Sequence, residues 1–183
     1  MLPITSDFKL RDLSEKDLEL VWNWRNSERI RKYMYHDNII TLDEHLQWFS
    51  RLENDHTKRQ KVFELNNRPI GIVNFSEIDQ YHKRCKWGFY LGEENLPKGT
   101  GTLMGYAGLS YIFEMENIRK VIGEVFEFNS ASIQFHKKLG FYQEGCLRKH
   151  VAKNGEYIDI LLFGYLQDEW QAYKPELTKL LFT

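Results

Sequence analysis

The sequence predicts a mixed α/β (α+β) fold in a single domain, one sheet with helices on its faces. Three observations predict it. Apolar residues recur along the chain at strand spacing in some segments and at helix spacing in others. A glycine turn, Pro97-Lys98-Gly99-Thr100-Gly101-Thr102-Leu103, joins a strand-like run to a helix-like one. Near the C-terminus Asn154-Gly155 separates two alternating runs, a strong hairpin signal.

Phe8 to Leu13 reads as a short strand. Ser14-Glu15-Lys16-Asp17 resembles a capping box, and the helix it opens puts Leu18, Val21, Trp22 and Arg25 on one face. A basic and aromatic stretch, Arg29 to His36, follows. Thr41-Leu42-Asp43-Glu44 is a cleaner capping box, and its helix is expected to turn Leu42, Leu46 and Phe49 inward, with His45, Trp48 and Leu52 on a neighbouring face. Lys61 to Leu65 alternates like a strand, Asn66-Asn67 supplies a turn, and Pro69 to Ile78 is a longer strand. Cys85 to Leu91 is the strand before the glycine turn, and the helix beyond the turn runs from Gly101 to Phe113. Arg119 to Phe126 is a strand. Ser130 to Leu139 is a helix closed by Gly140. Tyr142 to Val151 and Glu156 to Tyr165 pair across the Lys153-Asn154-Gly155 turn.

Composition bounds the function. The 183 residues suit one domain with a sizeable core, and apolar (42%) and charged (28%) contents are ordinary for a globular protein. The net charge of −1 argues against a nucleic-acid partner held by bulk charge. Cys85 and Cys146, unpatterned, fit a reducing cytosol with both as packing residues. Met1 to Thr5 lacks a basic-then-apolar signal pattern and no apolar run approaches membrane-spanning length, so a cytoplasmic protein with no membrane partner is expected. The six histidines lack metal-ligand spacing, and no metal is expected. No Gly-x-Ser-x-Gly elbow supports a hydrolase.

The glycine turn carries the chemistry. Glycines let the main chain approach a ligand, and the first helical turn offers unpaired N–H groups at the positive end of the helix dipole. That combination suits a phosphate or pyrophosphate. A second block, Asn129-Ser130-Ala131-Ser132-Ile133-Gln134-Phe135-His136-Lys137-Lys138-Leu139-Gly140-Phe141, lies downstream. The glycine turn after the fourth strand, this block and the element order together resemble the GCN5-related N-acetyltransferase (GNAT) superfamily over nearly the whole chain. In that family the turn reads Arg/Gln-x-x-Gly-x-Gly/Ala. Here lysine stands first and Leu103 takes the last small position. His136 stands where the family usually has tyrosine.

The resemblance implies a GNAT fold, with a mostly antiparallel mixed sheet whose fourth and fifth strands splay apart. It also implies acetyl-CoA as cofactor and direct attack of an amine on the thioester. The cradle would be Lys98, Gly99, Thr100, Gly101, Thr102 and Leu103, with the N–H groups of Gly99, Gly101 and Leu103 available. Phe89, Tyr90 and Leu91 would run beside pantetheine, the main chains of Tyr90 and Leu91 pairing with its amides as a guest strand would. Asn129 and Ser132 would touch the cofactor. His136 would be the acid for the leaving thiolate, since imidazole titrates near neutrality. Glu77, Glu124 and Tyr90 are candidates for the base or for a hydrogen bond to the substrate or the carbonyl.

Trp24-Arg25-Asn26, Glu44-His45-Leu46-Gln47-Trp48-Phe49 and Asp168-Glu169-Trp170 resemble two branches of the family. One is the nucleotide-sugar N-acetyltransferases of pseudaminic acid biosynthesis, which act on a UDP-linked 4-amino sugar. The other is the ribosomal-protein alanine N-acetyltransferases. Tyr33-Met34-Tyr35, a histidine in the second helix and Pro-Lys-Gly-x-Gly favour the first. Arg25, Asn26, Tyr33, Tyr35, His45, Trp48 and Glu77 are then the substrate candidates, with Arg25 suited to a diphosphate or carboxylate. A small-molecule nucleotide sugar is the expected partner, and a homodimer is left open. A CoA-binding protein without turnover is the reading from another class.

Overall fold

The capping boxes and the glycine turn set where the helices start, and the alternating runs between them pair into one sheet. The computed structural model describes residues 7–182. Strand β1 (Phe8–Asp12) leads through a one-turn 3-10 helix (Glu15–Asp17) into α1 (Leu18–Asn26). The Asp17 carboxylate accepts from the Ser14 N–H (3.0 Å) and takes a bidentate bond from Arg11, at 2.7 Å to each oxygen, which fastens β1 to this entry. Helix α2 is Glu28–Arg31 and α3 is Leu42–Leu52. At the start of α3 the Thr41 hydroxyl and the Glu44 carboxylate cap each other's main-chain N–H groups.

Strands β2 (Arg59–Leu65), β3 (Arg68–Asp79) and β4 (Arg84–Leu91) form an antiparallel meander next to β1. Helix α4 (Thr100–Ser110) continues into a π-helical turn (Tyr111–Met115). Then come β5 (Lys120–Phe126), α5 (Ser130–Leu139), and the hairpin of β6 (Tyr142–Lys153) and β7 (Glu156–Leu166). The seven strands run in the order β1-β2-β3-β4-β5-β7-β6, and β4 with β5 is the parallel pair. That pair is short. It joins Arg84–Trp87 to Lys120–Gly123 and stops, so the last four residues of β4 part from β5.

One core lies between the sheet and α4, α5 and the C-terminal helix, around Phe75, Phe113, Phe163 and Leu139. A smaller core of Val21, Trp24, Ile30, Val62 and Ile72 fills the α1–α2 face. Burial of this many large apolar side chains is the main stabilising term for the domain. Among the described residues no helix is long and apolar enough to cross a membrane. The expectation for Met1 to Thr5 lies outside the described residues.

Four expectations are corrected. Helix α6 (Gln167–Phe182) was not anticipated, because Pro175 sits inside it; the helix is nevertheless anchored by the fully buried Trp170 and Leu177. On α1 the buried residue is Trp24 rather than Trp22: Trp24 packs on Gly92, where any β-carbon would clash with it, while Trp22 donates its indole N–H to Ile40 O. On α3 the buried side chain is His45, and Leu42 and Leu46 are exposed. The His45 ring is turned inward beneath α1, stacked on Trp48. Cys85 is buried in the core, but Cys146 is exposed.

Candidate active site

The parting of β4 from β5 opens a cleft of about 420 Å³ that reaches from the start of α4 and α5 to α2. At one end lies the glycine turn. Gly99 caps α4 with φ +96°, in the left-handed region that glycine tolerates. The Thr100 N–H and hydroxyl both bond Pro97 O, at 3.2 and 2.8 Å. The Leu103 N–H already donates to Gly99 O (2.9 Å), as the fifth amide of a helix must. The amides free of helical partners are therefore those of Gly99, Gly101 and Thr102, and the expectation for Leu103 is corrected. Its side chain, with those of Thr100 and Thr102, is buried. Lys98 is exposed beside the turn.

Along the cleft, the antiparallel register decides which peptide groups are available. Gly92 N–H donates to Ile70 O, so alternate residues of β4, Tyr90 and Gly88, turn their peptide groups to β3. Phe89 and Leu91 turn theirs into the splay. Of the two, it is Phe89 rather than Tyr90 whose main chain is free at the splay. The Leu91 carbonyl is itself held by Arg29 (3.0 Å), which also bonds Gly92 O (2.6 Å). Phe89 packs its ring on Phe135 at 4.5 Å and on Trp87 at 4.9 Å.

Helix α5 forms the opposite wall. Asn129 caps it by accepting from Ser132 N–H (3.1 Å), and Asn129, Ser132 and His136 all line the cleft. His136 is only 2% exposed. Its Nδ1 donates to Ser132 O (2.8 Å), and its Nε2 accepts the Trp87 indole N–H (3.1 Å). Burial pushes its pKa down to about 4, against a smaller opposing effect of the Ser132 bond. The imidazole is thus neutral, with both nitrogens engaged. Its one proton, on Nδ1, is held by Ser132 O, and Nε2 carries none to give a leaving thiolate near pH 7, which argues against the acid role expected of it.

A second cavity of about 320 Å³ lies across the sheet face, beneath α1 and α3. Met34, Asn74 and Tyr90 line both cavities and form the partition between them. Arg25 reaches into the second cavity. One of its amino groups bonds His36 O, and the other, Nη1, is buried without a partner. Burial lowers its pKa. His45 lines the same cavity, stacked on Trp48 at 5.0 Å, and its Nε2 is also buried and unpartnered. Tyr33 and Tyr35 line the cleft. Tyr33 stacks on Phe128 (6.2 Å), and Tyr35 donates to Glu124 (2.7 Å).

Comparison with known proteins decides the family. Residues 7–142 match the acetyltransferase (GNAT) domain. The chain belongs to the GNAT family. Spermidine N(1)-acetyltransferase of Escherichia coli K12 is 26% identical over 171 residues, covering 93% of this chain and 92% of that one. Acetyltransferase PseH of Campylobacter jejuni 81-176 is 27% identical over 130 residues, 71% and 80% of the two chains. The crystal structure of the spermidine N-acetyltransferase from Vibrio cholerae, in complex with CoA and spermine, superposes with a TM-score of 0.85 at 25% identity, over 90% of this chain and 98% of that one. The chain is an acetyl-CoA-dependent N-acetyltransferase.

The residues present in this GNAT chain fit that cofactor. A β-carbon on Gly101 would point towards Phe135 and Leu91, at 3.7 and 3.9 Å, so its absence keeps the floor beside the free amides open. Two other candidates are placed elsewhere. Asn26 is spent on Ile40, donating to its carbonyl and accepting from its N–H at 2.9 Å each, and so fastens the loop after α2. Glu77 sits in a bulge at φ +50°, mostly exposed and paired with Lys86 (2.8 Å). Neither lines the described cavities, which corrects their substrate and base roles. Glu124 does line the cleft. Burial opposes its ionisation, but hydrogen bonds from Lys86 and Tyr35 outweigh burial and hold its carboxyl below the ordinary range. Arg29 and Asn74 were missed. Asn74 alone is polar in the run Ile70 to Phe75, and that break was visible in the sequence.

Proposed function

We propose that the acetyl group is delivered to the amine of a nucleotide-linked amino sugar, of the UDP-linked 4-amino class. One observation carries the reading: Arg25 Nη1 and His45 Nε2 are both buried, both unpartnered, and both line the cavity next to the splay. A buried N–H of a cation without an acceptor is costly, and a phosphate oxygen offsets that cost. Trp48, Tyr33 and Tyr35 offer flat faces to a base or sugar. Bound acetyl-CoA supplies the activated acyl group. The chain's own residues orient the acceptor. Burial raises the pKa of Tyr90, partly opposed by Arg25, so its phenol stays protonated as a hydrogen-bond donor in the partition. Glu124, ionised and fixed by Tyr35 and Lys86, can hold an ammonium before it is deprotonated.

A polyamine acceptor is the second reading, favoured by the relatives named for spermidine and by Glu124 in the cleft. Against it, a polycation in the second cavity would meet Arg25, and Glu44 there is already spent on the Thr41 cap. Transfer rates to a UDP-linked 4-amino sugar and to spermidine separate the two. The sugar should react faster. Arg25→Ala should raise its KM about tenfold to a hundredfold, the size of a lost charged hydrogen bond, with acetyl-CoA affinity unchanged. Faster transfer to spermidine, with no effect of Arg25→Ala, would overturn the reading.

A further inference from the structure

We propose that the Asn74 carboxamide orients the acceptor amine where β4 and β5 part. Asn74 lies on β3 directly across from Gly88, and Gly88 is the first residue after the last β4–β5 pair, Trp87 with Gly123. A β-carbon at position 88 would stand 2.7 Å from Asn74 Oδ1 and 3.3 Å from Nδ2. The amide thus occupies the space that the glycine leaves, lying over β4 at the start of the splay. Asn74 lines the cleft and the second cavity alike, and among the described residues nothing hydrogen-bonds its carboxamide. Its neighbours along the strand, Val73 and Phe75, are buried and apolar.

A polar group with spare hydrogen-bonding capacity in the otherwise apolar run Ile70 to Phe75 points to a ligand. The carboxamide has one acceptor oxygen and two donor hydrogens. Its oxygen suits an amine N–H, and its NH₂ suits an oxygen beside that amine. Holding the amine at the mouth of the splay confines it to the path between acceptor cavity and cleft, and misplacing a reacting group by about 1 Å costs up to a hundredfold in rate. The inference needs only the transfer reaction and does not depend on the acceptor being a nucleotide sugar.

The test is steady-state kinetics of Asn74→Ala, Asn74→Asp and Gly88→Ala, with acetyl-CoA affinity measured separately. A UDP-linked 4-amino sugar, spermidine and, as an acceptor needing no specificity contact, hydroxylamine serve as probes. Asn74→Ala should lower kcat/KM for the acceptor about tenfold to a hundredfold, with acetyl-CoA affinity within about twofold of the parent. Gly88→Ala keeps the amide but displaces it, and should reproduce the loss. Asn74→Asp puts a carboxylate beside the ammonium and favours its protonated form. The rising limb of the kcat/KM profile should then move to higher pH by about one pH unit, which a purely structural role would not cause. Unchanged kcat/KM and an unmoved limb would overturn the inference, as would an equal loss of acetyl-CoA affinity.

Discussion

A histidine whose two nitrogens are both bonded inside an apolar wall does not titrate like a free one. His136 is such a case, with the Trp87 N–H on one nitrogen, Ser132 O on the other and Gly123 so close that any β-carbon there would strike the ring. Its folded pKa is about 4 and its ordinary value 6.5. The unfolded chain therefore binds the extra proton first as the pH falls. Stability tied to His136 is full above about pH 6.5 and is lost as the pH drops towards 4, by at most about 3 kcal/mol. Denaturant titrations at pH 7.5 and 4.5 should show this loss shrinking in His136→Gln; an equal loss in both proteins would refute the account. The sequence places His136 in the block after Asn129. Its protonation is not legible there, because neighbours from β4 and β5, remote in sequence, set it.

Helix α4 carries two kinds of glycine, and their substitutions should separate. Gly101 faces the cleft, and its β-carbon would meet ordinary contacts. Gly101→Val should leave the melting temperature little changed and weaken acetyl-CoA binding at least about tenfold, because branched methyls beside the free amides deny the diphosphate its approach. Gly105 faces α5, where a β-carbon would stand 2.6 Å from Leu139 Cδ1 and 2.9 Å from Phe135 Cζ. Gly105→Ala should cost about 1–3 kcal/mol of stability through overpacking. Thermal unfolding and calorimetric titration of the two variants check the contrast, and a Gly101→Val protein that binds acetyl-CoA normally would count against the cradle. Local signals made these elements legible: the caps at Ser14, Thr41 and Asn129, the glycine at Gly140, the turn at Asn154-Gly155. Helix α6 was not legible, because its interior proline is outweighed only by the burial of Trp170 and Leu177 against α4 and the turn that follows it. The inward face of α3 was misjudged for a related reason, since the burial of His45 beneath α1 is a tertiary fact.

At the scale of the molecule, one interruption in the sheet organises the site. Four β4–β5 pairs hold the two halves together, and beyond Trp87 the strands diverge. One face of the sheet then carries α4 and α5, the other α1 to α3, and Tyr90 and Asn74 stand between the two cavities. Strand order and the glycine turn were enough to anticipate the splay by resemblance. The partition was not anticipated, because it depends on which β4 residues face which side, and that register emerges only in the folded sheet. The most direct test of this arrangement is an NMR titration of the ¹⁵N-labelled protein with CoA. The amides of Phe89, Leu91, Gly99, Gly101 and Thr102 should shift and gain protection from exchange, while the Leu103 and Tyr90 amides, already bonded within the protein, should show little added protection. Saturable CoA binding that leaves those five amides unperturbed would contradict the account.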